Sequence, residues 1–178
     1  QTEKFIDVLS SVAESMIVNN YADHIYTLSK GVSWITFQNE CVAVRIDDQL
    51  CKQGKGITLY SAFKQNLKGD KIYTVFEDSE GDEWILTNKG ISIVGKKQVD
   101  SDFPFQYIKE ADGIIYLVSQ SDKLASYNFK SRQFKFIEIP YHVSMINEVK
   151  KFDSNTLLLA TDNGLIIYKI KEKKFQLI

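Results

Sequence analysis

Residues 76–94 read FEDSEGDEWILTNKGISIV. Two short apolar runs, WIL at 84–86 and ISIV at 91–94, are each introduced by a glycine-bearing turn, and the first turn holds Glu77, Asp78, Glu80, Asp82 and Glu83 within seven residues. The cluster is either a cation or catalytic site or the bend of a hairpin. A hard cation needs several oxygens converging on one point. The order D-S-E-G-D lacks the alternating D-x-D-x-D-G spacing of a dedicated calcium loop. The spacing therefore reads as a bend, with Asp78 and Gly81 shaping the turn and the other carboxylates in solvent.

The same arrangement recurs. DKIYTVFEDSEGDEWILTNKGISIVGKK begins at Asp70, and DHIYTLSKGVSWITFQNECVAVRIDD begins at Asp23. Weaker copies begin at Tyr107 (YIKEADGIIYLVSQSDKLASYNF) and Val149 (VKKFDSNTLLLATDNGLIIYKI). Anchored on Phe37, Thr87, Ser119 and Thr161, the copies stand 50, 32 and 42 residues apart. Such a period, scattered around roughly 40–50 residues, is that of a four-stranded propeller blade. The short interval implies a trimmed outer strand after Val94.

Each copy reads as three or four strands. The first is half-buried (KIYTVFE). The second is almost wholly apolar (EWILT, IIYLVS, TLLLAT), as a strand covered on both faces must be. The third follows a tight turn (GISIVG, KLASYNF, GLIIYKI), and the fourth is an outer strand rich in Phe and Lys (GITLYSAF, QFKFIEI, KFQLI). Charge on an outer edge discourages pairing with other chains. Asn163-Gly164 is a strong hairpin signal, because both residue types tolerate positive φ. The two prolines, Pro104 and Pro140, fall between copies.

The expected fold is all-β: one propeller segment over 1–178, with blades at 23–67, 70–100, 105–139 and 145–178 and residues 1–22 as the outer strand of a preceding blade plus linker. For residues 4–17 a helix stays open, since Phe5, Val8, Val12 and Met16 share a helical face. The strand reading, in which FIDV at 5–8 copies FIEI at 136–139, makes the chain look like an arc of a larger ring.

The net charge is −1, from 22 basic and 23 acidic side chains, so charge alone draws the chain to neither nucleic acid nor an anionic membrane. No apolar run approaches bilayer length, and the opening residues lack the basic head and apolar core of a signal peptide. Two cysteines, Cys41 and Cys51, flank a potential turn. An oxidising compartment would permit a disulfide, but two free thiols, buried or half-buried, are the favoured reading.

The pattern D-x-x-G-x-x-W-I-x-T-x-x-G-[IL], present as Asp78, Gly81, Trp84, Ile85, Thr87, Gly90 and Ile91, resembles the two-component regulator propeller repeat. The aromatic is Trp34, Trp84 or Tyr116 in three copies and Leu158 in the last; the Thr is Phe37 in the first. The Gly is Cys41 in the first copy and Lys123 in the third. The resemblance covers the chain from about residue 23 onward. It implies the periplasmic sensor region of a hybrid histidine kinase of the Bacteroides type, responding to carbohydrate fragments. It further implies that ligand binding shifts the dimer geometry of a parent receptor. The alternatives are a standalone interaction propeller and, third, a glycan-active enzyme on the same fold.

No catalytic, cofactor or metal residue is expected, and no ligand residue is singled out. Glycoside hydrolysis needs two carboxylates facing across a pocket, and here they crowd into turns. His24 and His142 fall in different phases of the repeat. GKG at 54–56 lacks the rest of a phosphate loop. Trp34 and Trp84 are expected in the core between blades, leaving Tyr21, Phe103, Phe105 and Tyr141 as exposed loop aromatics. An open arc exposes two apolar blade faces, from which self-association is expected.

Overall fold

The computed structural model describes residues 21–38, 42–61, 67, 69–96, 104–119, 121–128, 131 and 133–178. The chain is all-β: four antiparallel sheets in sequence order, each a simple meander. Sheet 1 holds β1 (Ala22–Thr27), β2 (Val32–Phe37), β3 (Val42–Asp47) and β4 (Ile57–Ser61). Sheet 2 holds β5 (Ile72–Glu77), β6 (Glu83–Thr87) and β7 (Gly90–Ile93), three strands among the described residues. Sheet 3 holds β8 (Phe105–Ala111), β9 (Ile114–Ser119), β10 (Leu124–Asn128) and β11 (Gln133–Ile137). Sheet 4 holds β12 (Ile146–Asp153), β13 (Thr156–Thr161), β14 (Gly164–Lys169) and β15 (Lys174–Leu177). One helical turn, α1 (Asp48–Cys51), joins β3 to β4, and Asp47 caps it by accepting from Gln49 N and Leu50 N.

The second strand of each sheet explains the stack. Successive side chains point to opposite faces. Ile85 therefore enters the cluster shared with sheet 1, beside Trp34 and Ala43, while Trp84 and Leu86 enter the cluster shared with sheet 3, beside Phe105, Ile108 and Leu117. Leu157 and Leu159 face sheet 3, meeting Tyr116 and Val118. A fourth cluster, Phe37, Val42, Val44, Ile46 and Leu59, lies on sheet 1 away from sheet 2. Trp34 and Trp84 are both wholly buried, as the repeat predicts.

Every first strand carries one extra residue at the same place. The register slips between Ala22 and His24, Ile72 and Thr74, Phe105 and Tyr107, and Ile146 and Glu148. A bulged residue is released from the ladder. Three of the four freed carbonyls accept a hydroxyl from the sheet before: Tyr26 Oη donates to Tyr73 O (3.3 Å), Thr74 Oγ1 to Gln106 O (3.0 Å) and Tyr107 Oη to Asn147 O (2.5 Å). The bulge thus supplies the polar bond that stitches inner strand to inner strand.

The hairpins differ from the sequence reading in one respect. At Asn163-Gly164 the two-residue loop is Asp162-Asn163, neither with positive φ, and Gly164 opens β14 at φ +115°. Thr161 builds this turn: its Oγ1 accepts from Asn163 N and donates to Gly164 O. Thr87 does the same with Lys89 N and Gly90 O. Both φ values are positive at the two-residue loop Asp112-Gly113, and also at Lys30-Gly31 in the longer β1–β2 connection.

Residues 4–17, Cys41 and Phe103 lie outside the described residues, and with them the strand-or-helix question and the pairing of Cys41 with Cys51.

Candidate binding surface

The acidic cluster is a bend shaped by Asp78, as the spacing implied, but Glu77, Asp82 and Glu83 are not idle in solvent as the sequence suggested. Asp78 is buried; its Oδ1 accepts from Glu80 N (3.0 Å) and Asp82 N (2.8 Å), and its Oδ2 accepts Trp84 Nε1 at 2.8 Å. Gly81 sits in the same loop at φ +84°. The D-x-x-G-x-x-W spacing is therefore one hydrogen-bonded unit, in which the carboxylate shapes the turn and satisfies a buried indole. Glu83 reaches sheet 1, accepting from Trp34 Nε1 at 2.6 Å and from Arg45 at 2.8–3.1 Å. The Glu83 hydrogen bond, against the opposing effect of burial and with help from the charges of Glu83 and Asp47, holds the Arg45 guanidinium above its usual range. Asp82 pairs with Lys96. The strand period explains the error: Glu83 faces the preceding sheet because it alternates with Trp84.

A second carboxylate pattern joins the turns of neighbouring sheets. Ser29 donates N–H and Oγ to Glu77, both at 2.6 Å. Ser79 donates the same two groups to Glu110, at 2.7 and 2.5 Å. The Ser29 hydroxyl, then its N–H, holds the Glu77 carboxyl below the usual carboxylate range.

At the opposite end of the sheets, the second hairpin of a blade holds the linker that enters it. Asn88 Oδ1 accepts from Asp70 N (2.8 Å) and Lys71 N (3.2 Å). Asp162 accepts from Ser144 N and Met145 N, and Asn163 Nδ2 donates to His142 O. Loops fixed on a rigid scaffold are where binding groups are best presented. Between the linker 138–143 and the start of β10 lies an open groove of about 650 Å³. Asp122, Lys123, Phe136, Glu138, Tyr141 and His142 line it, so both charges and two aromatic rings face one space. The Tyr141 hydroxyl on its wall donates to Phe175 O at 3.3 Å.

The loop aromatics separate. Tyr21 is exposed and Tyr141 lines the groove. Phe105 is not a loop residue: it opens β8 and is 1% exposed, packed on Phe134 in the sheet 2–sheet 3 cluster. The residue after a proline is here already strand, so proximity to a linker misled. His24 is exposed on β1, 3.2 Å from Asp23, and stacks on Tyr26. His142 alone of the two histidines reaches the groove. Cys51 closes α1, half-buried. Among the described residues no three His, Cys, Asp or Glu side chains converge as a metal site. In the sequence Lys123 read only as a repeat position and Phe136 and Glu138 only as outer-strand residues; their convergence across β10, β11 and the linker marks them as lining one groove.

No protein-family model matches the chain, and no curated protein matches it. Solved structures do. The extracellular domains of two putative hybrid two-component systems from B. thetaiotaomicron align with it at TM-score 0.67 each. One is 20% identical over 90% of this chain and 22% of its own; the other is 17% identical over 89% and 22%. Selenomethionine-substituted virginiamycin B lyase from Staphylococcus aureus aligns at TM-score 0.70, 16% identical over 92% of this chain and 56% of its own. At these identities the likeness is one of fold, a stack of propeller blades. The chain spans less than a quarter of the length of the hybrid-system domains and about half of the lyase. Repeat and fold agree on stacked propeller blades, the architecture shared with these extracellular domains and with the lyase alike.

Proposed function

We propose that this segment is a non-catalytic, ligand-sensing part of the extracytoplasmic region of a hybrid two-component receptor, periplasmic in location. The rim of hairpins and linkers around the 138–143 groove would receive a carbohydrate fragment. One observation carries the reading. Every residue of the D-x-x-G-x-x-W-I-x-T-x-x-G repeat has a structural role here, and the resulting blades superpose on extracellular domains of hybrid systems. The groove suits such a ligand: sugars take up aromatic faces together with mixed polar groups. Phe136 and Tyr141 provide the first, Asp122, Lys123, Glu138 and His142 the second.

The fold also carries lyases, so the enzyme reading turns on the site. Among the described residues that line the groove, Tyr141 carries the hydroxyl, and it is engaged with Phe175 O. The test is titration of the chain, and of Phe136→Ala and Tyr141→Ala, with a panel of oligosaccharides by calorimetry. Binding of one glycan class, lost in both variants and without turnover, is expected. Binding of peptides instead would move the assignment to an interaction module, and turnover of any glycan to an enzyme.

A further inference from the structure

The seam between sheets 3 and 4 holds a lysine where the two earlier seams hold an aromatic ring. In each sheet one first-strand residue pairs with the residue three before the anchor of the second strand: Tyr26 with Trp34, Phe76 with Trp84, Lys109 with Tyr116 and Lys150 with Leu158. Residues paired in this way share a face. Tyr26 and Phe76 accordingly pack against the apolar clusters of their seams. Tyr116 is buried in the cluster between sheets 3 and 4, so Lys109 points into that seam and is half-buried there.

Other half-buried cations are paired, Arg45 with Glu83 at 2.8 Å and Lys123 with Asp122 at 3.0 Å. Among the described residues Lys109 has no ion pair. Glu148 and Lys150 of sheet 4 act on it, but they pair with each other at 3.4 Å. Glu110, next in the strand, serves Ser79 of sheet 2. The flanking phenols of Tyr107 and Tyr116 are both pushed up by burial and stay neutral. Burial holds the Lys109 amine below its usual range; Glu148 opposes this and Lys150 adds to it. A desolvated amine beside a second cation is the arrangement that makes lysine a nucleophile. Lys150 favours the free amine over the ammonium, and it would favour an anion in that place still more.

We propose that Lys109 is a reversible binding site for carbon dioxide, held as a carbamate that pairs with Lys150 across the seam. The lone pair of the free amine attacks the carbon of CO2. One N–C bond forms, one C–O π bond breaks onto oxygen, and one proton leaves Nζ for Glu148 or for solvent water. The product is a monoanion, so a repulsion between two ammonium groups becomes an attraction between sheets. Lys150 and Glu148 stand largely in solvent, at 70% and 58% exposure, which gives dissolved CO2 an open approach from their side. Lys109 does not line the 138–143 groove, and the inference is independent of the ligand and of the sensing role.

The experiment equilibrates the 178-residue chain with isotope-labelled bicarbonate, detects the carbamate carbon by NMR, and traps it with triethyloxonium for mass mapping. Expected are a trapped carbamate at Lys109 and its loss in Lys109→Met, a variant whose apolar side chain suits the seam. Lys150→Gln should lower the yield at Lys109 roughly threefold, the effect a partly exposed ion pair allows. At constant pH and ionic strength, bicarbonate should raise the unfolding midpoint of the wild type and leave that of Lys109→Met in place. Carbamate found only at the amino terminus, or spread evenly over the exposed lysines, overturns the proposal. So does a yield at Lys109 that Lys150→Gln leaves undiminished. A midpoint that sulfate raises as much as bicarbonate does, with no carbamate trapped, also overturns it and makes Lys109 a plain anion site.

Discussion

Glu83 and Trp34 belong to different sheets, and the carboxylate of one accepts the indole N–H of the other at 2.6 Å. The same carboxylate holds Arg45 in a two-pronged pair. Both charged side chains are largely withdrawn from water, at 14% and 17% exposure. Removing one member of such a pair leaves the other charge without compensation. Glu83→Ala should therefore cost about 3 kcal/mol, read as a fall in the urea midpoint. Glu83→Gln keeps an acceptor for the indole and should cost clearly less. Equal losses would show that the charge, and not the acceptor, decides.

Thr74 donates to the bulge carbonyl of Gln106. Thr74→Val keeps the shape and removes the donor, so about 1 kcal/mol should be lost. Hydrogen exchange should quicken on both sides of the seam, at β5 and β8 together. Exchange that changes at β5 alone would mean that the bond does not couple the sheets.

Gly56 has no room for a side chain. A Cβ there would stand 2.2 Å from Cys51 Sγ and 2.5 Å from Asp47 O. Asp47 N also donates to Gly56 O at 2.7 Å, so the backbone cannot easily retreat. Gly56→Ala should cost about 2 kcal/mol or more. Gly54→Ala, at φ +75° but with open space around it, should cost only about 1 kcal/mol. The two midpoints, measured side by side, check the ranking.

Acid should weaken the seam between sheets 1 and 2. The folded-state pKa of Glu77 is lowered, chiefly by the Ser29 hydroxyl and then by its N–H. A depressed carboxyl contributes stability above its unfolded value, and that stability is lost as the pH falls through the folded value. Between roughly pH 5 and pH 3 the unfolding midpoint of Glu77→Gln should fall less steeply than that of the wild type. Parallel acid limbs would remove Glu77 from the account.

Alkali should act at the other end of the stack. Burial, then the neighbouring Tyr168, pushes the Tyr116 phenol up to about 12. The stabilisation of a raised group is complete below its unfolded value near 10 and fades as the pH rises towards the folded one. Phenolate absorbance should show a late-titrating tyrosine that Tyr116→Phe abolishes, and the variant should resist alkaline unfolding better.

The repeat made the fold legible before any coordinates, because an apolar second strand with an aromatic three residues before its end is what burial on two faces demands. Trp34 and Trp84 went where their spacing placed them. What escaped were relations between copies. Nothing in the order of residues says that Glu83 faces backwards onto Trp34, or that Tyr73, Gln106 and Asn147 are bulged so that their carbonyls meet a hydroxyl from the sheet before. Such features depend on register, and a slip of one residue turns each side chain to the other face. The groove was less legible still, since Phe136 and Tyr141 come from a strand edge and a linker that only folding brings together.

Asp162 ties Ser144 and Met145 to the hairpin they lead into, and Asn88 ties Asp70 and Lys71 likewise. Those connections cannot wag on their own. A push delivered there would act on the pitch of a whole sheet, which is a motion that a neighbouring sheet can feel.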